Sequence, residues 1–405
     1  MSKEDNILVV NVGSTSFKYQ LLDMEQGACL AKGKIENVFT KTAEYTWRNG
    51  KHTDHKILDA TSGYGPCIQQ MVEVLTDSDN GVIDSLEDVG GVGFKAVLAG
   101  QINYPVLVTE ELLQEMEKYI FVAPAHNPPY IDTMRTFCEK MPGTPLVASF
   151  ETGFHRTIPA AAHVYPFPKE YREKYGLRKY GFHGASHSYV AWKTPQILGR
   201  DDLRVVSCHL GGSSSLCAIQ NGKSIDTTMG FSPQAGIPNN NRNGDLDVFA
   251  VLYLMEMENM TPSQIREVLS KNSGLLGLSG ISGDMRVLKS SDDPMAKLTI
   301  DHLVYCIKKY IGGFAAQMNG VDVITFSGGI GENDSDLRRM ICENMDYLGV
   351  RLDSNANCKA VGDLPEDGVE ISAPDSAVKV IVLPTNEEWM VAINTCAVIK
   401  QEELV

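Results

Sequence analysis

Two turns rich in glycine and serine, about two hundred residues apart, carry the residue types that bind phosphate. The first spans residues 12–16, between the apolar run 7–10 and the extended run 17–22, with Asn11 before it and Lys18 after it. Hydroxyls and backbone N–H groups at such a tip can hold a phosphate without a helix N-terminus. The P-loop pattern G-x-x-x-x-G-K-[ST] is absent, and an ordinary hairpin turn of small polar residues is the alternative interpretation.

The second turn, residues 211–215, repeats this arrangement. It follows an apolar strand that begins at Val205, and it leads through the extended run 216–220 into a third strand. In the first copy, the run 28–35 supplies the same third strand. Two such units predict a duplicated phosphate-handling subdomain, and a kinase with two lobes would use both tips around one nucleotide.

Length, charge and cysteine content restrict the class of function. A chain of 405 residues is long enough for two domains, each with a sizeable core. A net charge of −15 without a basic block argues against a nucleic-acid partner, although a small anionic substrate is still possible. Nine cysteines without a C-x-x-C pair predict reduced thiols and a cytoplasmic protein. We expect no membrane anchor, since no apolar run approaches ~20 residues.

Two charged residues stand in or beside apolar strands. Lys95 is the one charge in the glycine-bounded run 90–99, where it either reaches solvent from the strand end or faces a ligand. Glu151 ends the apolar strand 146–150. A carboxylate at that position can face a metal, or it can cap the turn that follows.

Three histidines are candidates for contact with an anion. His126 lies in a proline-rich stretch before a predicted helix, residues 130–140; this stretch is either an irregular functional loop or the start of the helix itself. His183 and His187 have the H-x-x-x-H spacing of a zinc site but lack a third clustered ligand. Hydrogen bonding of these two histidines to an anionic substrate is therefore the favoured interpretation.

Two loops near the second copy are also suited to a nucleotide. Arg242 lies in the glycine- and asparagine-rich loop 229–247, where its fork of donors can stabilise a transferring phosphoryl group. The alternative is a surface arginine paired to Asp245 or Asp247. The strand 321–326 runs into the glycine turn 327–333 and then a helix from about Asp336, a geometry in which backbone amides meet a nucleotide.

These motifs, in their order along the chain, resemble those of the acetate kinase family, and the chain looks like a divergent member of it. The motifs are NVGSTSFK, APAHNP, ETGFHRTIP, KYGFHGASH, HLGGSSSLCAI, NGKSIDTTMGFSP, NRNGDLD, FSGGIGEN and TNEE. The resemblance implies an α/β fold of two duplicated ribonuclease-H-like (actin-like ATPase) domains with an interdomain cleft. The implied domains are residues 1–151 plus 385–405, and residues 152–384 with the nucleotide site. It also implies homodimers, ATP with Mg²⁺, and reversible transfer of the γ-phosphoryl group to a short-chain carboxylate.

The resemblance further implies roles for the matching residues. Catalytic residues would be Glu151, Arg242, His183 and Lys95, and residues lining the phosphate path would include His126, His183 and His209. Substrate contacts would come from Lys95, Val97, Ala125, Phe182 and Pro233. The nucleotide and its phosphates would be held by Ser14, Ser16, Lys18, His209, Gly211, Gly212, Gly328, Gly329, Gly331 and Asn333. Asn11 and Glu387 would hold the metal ion.

The chain departs from the family at several of these positions. Lys95 replaces an arginine and cannot make its bidentate fork, while Phe94 and Leu98 replace two histidines. Glu151 replaces an aspartate and extends the carboxylate by about one carbon–carbon bond. Gly212 replaces an asparagine, which removes a side-chain contact to the nucleotide phosphates.

The acyl pocket differs as well, because Ala125 replaces a leucine. The missing carbons open space worth ~2 kcal/mol to a substrate that fills it, so we expect propionate or butyrate to fit better than acetate. Two alternatives stay open at this stage. One is a nucleotide-binding paralogue with weak or lost kinase activity and a regulatory role; the other is a kinase that uses pyrophosphate or another phosphoryl donor.

Overall fold

The chain forms two compact units, each built on one mixed β-sheet. The structure, a computed structural model, describes residues 5–124, 126–402 and 404. The first unit takes the described residues of Met1–Gly153 and Asn386–Val405, and the second takes Phe154–Thr385.

The described chain contains fourteen strands, of which the first five follow one another directly. They are β1 (Asn6–Gly13), β2 (Ser16–Asp23), β3 (Ala28–Glu36), β4 (Ala43–Asn49), β5 (His52–Leu58), β6 (Gly91–Ala96), β7 (Val106–Leu107), β8 (Leu146–Phe150), β9 (Arg204–His209), β10 (Ser215–Gln220), β11 (Lys223–Thr227), β12 (Val323–Ser327), β13 (Val369–Glu370) and β14 (Lys379–Val382).

The α-helices are α1 (Tyr64–Leu75), α2 (Glu110–Lys118), α3 (Asn127–Lys140), α4 (Ala160–His163), α5 (Lys169–Tyr175), α6 (Gly184–Leu198), α7 (Val248–Met257), α8 (Pro262–Lys271), α9 (Gly274–Ser279), α10 (Met285–Lys289), α11 (Pro294–Gln317), α12 (Gly328–Asn333), α13 (Ser335–Cys342), α14 (Ser354–Lys359) and α15 (Glu387–Lys400). Short 3₁₀ turns occupy Leu86–Asp88, Gly153–Thr157 and Asp346–Leu348. Within the described part of the chain, every helix is too short or too polar to span a lipid bilayer.

The two sheets share one topology, which confirms the predicted duplication. The first has the order β5-β4-β3-β2-β1-β6-β8-β7, and the second has the order β11-β10-β9-β12-β14-β13. In each, three antiparallel strands are followed by two strands parallel to the first of them: β6 and β8 in one sheet, β12 and β14 in the other. The order 3-2-1-4-5 therefore occurs twice.

The hairpins form as their residue pattern predicts. Along β2, buried and less buried residues alternate because successive side chains point to opposite faces of a sheet. Gly13 pairs with Ser16, so the first tip is a two-residue turn at Ser14 and Thr15. One face of this sheet packs on α1 and α3, and α15 covers part of the other face.

Three helices have bounds that their residue patterns do not indicate. The stretch 248–270 is not one helix: α7 ends at Met257, Asn259 adopts φ 52°, and Thr261 caps a second helix. Helix α11 runs through Gly312 and Gly313 without interruption. Helix α3 begins at Asn127, so Pro128 and Pro129 lie in its first turn, where a missing N–H costs nothing.

A buried arginine that sequence inspection overlooks supports the glycine-rich segment of the second unit. Arg338, on α13, is fully buried and donates five hydrogen bonds of 2.7–2.9 Å. Its acceptors include the carbonyl oxygens of Gly331 and Glu332, together with Asn357 and Ala360. The guanidinium therefore ties α12 to α13 and α14.

Replacing Arg338 should destabilise the second unit. Arg338→Lys leaves several buried carbonyl oxygens without a donor, and we expect it to lower the free energy of unfolding by about 3 kcal/mol. By calorimetry, the melting temperature should fall by about 6–12 °C. The matched control is Arg339→Lys, since Arg339 is exposed and pairs only with exposed Glu343. Equal melting temperatures for the two variants would contradict this account.

Candidate active site

The first unit holds a buried cation between two carboxylates. Lys95, on β6, hydrogen-bonds Glu387 at the start of α15, and its Nζ lies 3.3 Å from Oε1 of Glu151, which follows β8. Lys95 and Glu387 are each only 17% exposed at the side chain. The solvent-reaching alternative for Lys95 is therefore wrong, because its ammonium group lies inside the unit.

Burial and charge shift the pKa values in this cluster. Burial raises the pKa of Glu151 to about 7; Lys95 opposes this shift, and Glu387 adds to it. Burial alone would lower the pKa of Lys95, but the charges of Glu151 and Glu387 outweigh it and raise that pKa well above its usual value. Both carboxylate oxygens of Glu151 are buried and neither makes a hydrogen bond of good geometry within the described residues, although Oε1 contacts the Lys95 ammonium group.

Asn11 lies beside this cluster in the same unit, at the end of β1. Its Oδ1 accepts a hydrogen bond of 3.1 Å from the Tyr130 hydroxyl, which also accepts one of 3.0 Å from the backbone N–H of Val12. Tyr130 carries a raised pKa because it is fully buried, despite the opposing charge of Lys95. Sequence inspection did not single out Tyr130, which is buried on α3.

The remaining predicted residues of the first unit lie around the hairpin tip, after β6 and before the start of α3. Ser14 and Lys18 are exposed, Ser16 is half-buried, and the Tyr64 hydroxyl donates to the carbonyl of Gly13 at 2.7 Å. His126 is half-buried and precedes α3, and Val97 is half-buried after β6. Ala125 lies outside the described residues.

These groups fit a hard divalent cation. Carboxylate and amide oxygens are the side-chain ligands that Mg²⁺ prefers, and Asn11, Glu151 and Glu387 all carry them. The buried carboxylate of Glu151, whose Oε2 has no hydrogen-bond partner among the described residues, is the observation that favours a cation or donor here. No cluster of three histidine, cysteine or acidic side chains suited to a metal occurs in the described ranges, so the protein would supply only part of a magnesium coordination shell.

The second unit contains a chain of histidine–serine hydrogen bonds. Ser215 Oγ lies 2.9 Å from Nδ1 of His183 and 2.8 Å from Nε2 of His187, whose Nδ1 lies 2.9 Å from Ser207 Oγ. The rings of His183 and His209 are 4.5 Å apart. Burial holds the pKa of His187 well below its usual range, helped by His155 and His209. His187 is therefore neutral, and Ser215 links it to His183.

His183 is held in a backbone conformation that only a few residue types tolerate. It caps α6 with φ 57°, in the left-handed region, and Gly181 just before it has φ 76°. Such strain persists where the surroundings fix it, often at functional sites. Phe182 between them is buried, and its carbonyl oxygen lies 2.9 Å from Nε2 of His155. Pro233 is half-buried in the loop that follows β11.

Arg242 is not the surface ion pair that was the alternative interpretation. Its Nη1 donates to Ser213 Oγ at 2.8 Å, while Asp245 accepts from the Tyr310 hydroxyl and the N–H of Gly236. Burial lowers the pKa of Arg242, which stays charged because guanidinium does not deprotonate in proteins. The loop thus presents Arg242 to the Gly211–Ser214 turn.

A cavity of about 640 Å³ in the second unit brings together several predicted nucleotide residues. Gly211, Gly212, Gly329 and Asn333 line it. It also has a lining that sequence inspection missed: Asn240, Asp284, Met285, Arg286, Lys289, Ile330, Asp334 and Ser335. The volume is within the range of small-molecule and cofactor sites.

The glycines at this cavity act through their small size. The N–H groups of Gly328, Ile330 and Gly331 donate to Glu332 or to the Leu210 carbonyl, so these amides are already used within the protein. The expectation that the backbone amides of this turn meet a nucleotide is therefore wrong for those three. Gly328 has φ 78°, and a Cβ there would lie 2.7 Å from the Leu210 carbonyl oxygen.

Comparison with known proteins decides the family. The family model of the acetokinase family matches residues 6–393. The chain belongs to the acetokinase family. An acetate kinase of Clostridium acetobutylicum is 42% identical over 403 residues, which cover 96% of this chain and 97% of that relative.

Solved structures agree with this assignment. A crystal structure of Porphyromonas gingivalis acetate kinase superposes with a TM-score of 0.87 at 35% identity, covering 98% of this chain and 100% of that one. A propionate kinase from Francisella tularensis superposes with a TM-score of 0.87 at 32% identity, covering 96% and 99%. The acetokinase described here therefore has the predicted α/β fold of two actin-like ATPase domains. None of these relatives is named as a regulatory protein.

The pKa of Glu151 predicts a pH dependence of stability. Between about pH 4.5 and 7 the folded acetokinase retains a proton that the unfolded chain has released, so its free energy of unfolding falls as pH rises through this window. The glutamine of Glu151→Gln does not titrate. The melting temperature of this variant minus that of wild type should therefore be larger at about pH 8 than at about pH 5. Glu139→Gln, at an exposed position, is the control; a Glu151→Gln difference that is independent of pH would contradict the assignment.

Proposed function

We propose that this acetokinase is an acetate kinase-type carboxylate kinase. It transfers the γ-phosphoryl group of ATP reversibly to a short-chain carboxylate, giving an acyl phosphate and ADP. The observation that carries the proposal is the cavity in the second unit, where residues predicted from two separate motifs, HLGGSSSLCAI and FSGGIGEN, line a nucleotide-sized space. The full-length similarity to kinases of acetate and propionate supports the choice of a carboxylate as acceptor.

The chemistry requires little covalent help from the protein. A carboxylate oxygen attacks the γ-phosphorus in line, a new P–O bond forms, and the bond to the ADP oxygen breaks. The acceptor is already ionised, so no general base has to remove a proton from it. The protein therefore contributes alignment of the two reactants and neutralisation of the negative charge on the phosphoryl oxygens.

Each unit contributes defined groups to this task. Arg242, held by Ser213, would stabilise the transferring phosphoryl group with its planar fork. His183, whose Nδ1 lies 2.9 Å from Ser215 Oγ, would contact the phosphoryl oxygens. Gly211, Gly212, Gly328, Gly329, Gly331, Asn333 and His209 would contact the nucleotide, and Ser14, Ser16 and Lys18 its phosphates.

The cluster around Lys95 would serve the acceptor and the metal. Lys95 would neutralise the carboxylate substrate, with Glu151 and Glu387 fixing its position. Asn11 and Glu387 would hold Mg²⁺, which when bound supplies positive charge between the phosphates. Val97, Ala125, Phe182 and Pro233 would line the acyl group. We propose that the two compact units are the two domains that the sequence predicts, and that the protein is cytoplasmic, as its nine free thiols favour.

The reaction itself is tested by trapping acyl phosphate with hydroxylamine in the presence of ATP and Mg²⁺. Wild type should form acyl hydroxamate, and Arg242→Lys should lower kcat at least about a hundredfold, because lysine cannot replace the bidentate contact made in the transition state. Arg339→Lys should leave kcat unchanged. No hydroxamate from any short acid, with ATP binding intact, would refute the proposed function.

Chain length of the acid tests the acyl pocket. We expect kcat/KM to be higher for propionate or butyrate than for acetate, since Ala125 leaves room for added methylene groups. Ala125→Leu should change the ratio of the kcat/KM values about tenfold in favour of acetate. The larger side chain fills space equivalent to one to two methylene groups. Wild-type kcat/KM that is equal or higher for acetate would refute the enlarged pocket.

We also propose a homodimer, and the most apolar surface helix supports it. On α7, Phe249 is 74% exposed, Val248 68%, Tyr253 65%, Met257 55% and Leu252 50%. Exposed apolar patches of this kind are typical of protein–protein interfaces. Helix α7 is therefore the segment that we expect to be covered by a second copy.

Charged substitutions on α7 should separate the two copies. Phe249→Glu combined with Tyr253→Lys should shift the mass measured by light scattering from dimer to monomer, because each charge would have to be desolvated at the interface. Tyr171→Glu, at an exposed tyrosine of α5, should leave the mass unchanged. An unchanged mass for the α7 variant would exclude this helix as the interface.

A further inference from the structure

Four cations occupy neighbouring positions on one face of the first sheet. Lys18 on β2 pairs directly with Lys34 on β3, and Lys32 on β3 pairs directly with Arg48 on β4. All four side chains are exposed. Like charges placed directly opposite each other on adjacent strands repel and destabilise a sheet. We call this set, Lys18, Lys32, Lys34 and Arg48, the basic ladder.

The repulsion in the basic ladder is only partly compensated. Lys34 pairs with Glu36 at 2.7 Å, whereas Lys18, Lys32 and Arg48 have no ion pair within 4.0 Å among the described residues. This is unusual in a chain with 51 acidic residues and a net charge of −15. Acidic partners are thus abundant in the sequence but are not placed here.

The basic ladder lines a concavity rather than a flat surface. The cavity has a volume of about 530 Å³, and its lining includes all four cations together with the polar side chains of Asn11, Gln20, Thr46 and Thr53. Two acidic residues border it, Glu388 from α15 and Glu36 from β3. A volume of this size suits a small molecule.

We infer that the basic ladder is a binding site for a small linear polyanion, of the class of inorganic oligophosphates and phosphorylated metabolites. Adjacent strands lie about 4.8 Å apart and alternate residues along a strand about 7 Å apart, so the four cations follow a zigzag from Lys18 through Lys34 and Lys32 to Arg48. A chain of phosphates presents several negative charges to such a row, and the flexible lysine and arginine side chains can converge on them. Lysine binds phosphate as a point charge, and arginine binds it with its fork.

The site also has a consequence for activity, and this part rests on the proposed function. Asn11 and Lys18 lie both in this cavity and among the residues proposed to bind metal and phosphates. A polyanion on the basic ladder therefore competes with ATP for Lys18. Binding itself does not depend on the kinase reaction, so the two proposals can fail separately.

The test is isothermal titration of the full-length protein with inorganic triphosphate at low salt. Lys32→Gln combined with Arg48→Gln removes two of the four charges of the basic ladder and leaves the proposed catalytic residues intact. The matched control is Lys223→Gln combined with Lys309→Gln. It removes the same charge at two exposed lysines that form no ion pair within the described ranges. Melting temperatures of both variants report on folding, and the ladder variant should not be less stable, since it loses a like-charge pair.

We expect triphosphate to bind wild type and the control equally, and the ladder variant about tenfold or more weakly, as two charge-assisted contacts are lost. Tighter binding of triphosphate than of an aliphatic tricarboxylate identifies phosphate as the recognised group; equal affinity identifies negative charge alone and would overturn the phosphate assignment. No triphosphate binding to wild type, or equal affinity in both variants, would overturn the inference. Hydroxamate formation measured on the same samples shows separately whether the kinase reaction proceeds.

Discussion

The arrangement of the first unit depends on one buried interaction, the contact of Lys95 with Glu151 and Glu387. It joins β6, the end of β8 and the start of α15, and Lys95 and Glu387 are 292 positions apart in sequence. Removing one partner from such a group is costly, at about 3–5 kcal/mol, because an uncompensated charge stays buried. The interaction thus fixes the C-terminal helix against the sheet whose first hairpin carries Asn11. Above about pH 7, where Glu151 is ionised, two acids and one ammonium leave a negative excess, which a cation can balance.

The duplicated fold provides two hairpin tips, which are bordered by different types of residue. In the first unit the tip is bordered by Asn11 and the carboxylate cluster; in the second, the turn at Gly211 is bordered by Arg242 and the serine–histidine chain. Positive groups and hydrogen-bond donors thus dominate the second tip, whereas oxygen ligands dominate the first. This division matches a phosphoryl transfer in which one set of groups neutralises the phosphoryl oxygens and the other holds a metal ion.

Much of this organisation could be predicted from the sequence. Both hairpins follow from apolar runs separated by small turn residues, and the duplication follows from their repetition. Interactions between distant segments could not be predicted in this way. Burial of Lys95 depends on Glu387 arriving from the other end of the chain, and Arg338 resembles any surface arginine until its carbonyl acceptors are seen. The helix boundary at Met257 depends on Asn259 and the Thr261 cap, which a continuous helical pattern conceals. The glycine turn after β12 was predicted as an amide site, but Leu210 occupies two of its amides.

We propose that the carboxylates around Lys95 hold the metal ion of a carboxylate kinase. The most direct measurement is diffraction from crystals grown with ADP and Mn²⁺, with the manganese located by its anomalous signal. The account predicts manganese beside the nucleotide phosphates with Asn11, Glu151 or Glu387 as a ligand, either directly or through water. Manganese bound to the nucleotide without any contact to these three residues would contradict it.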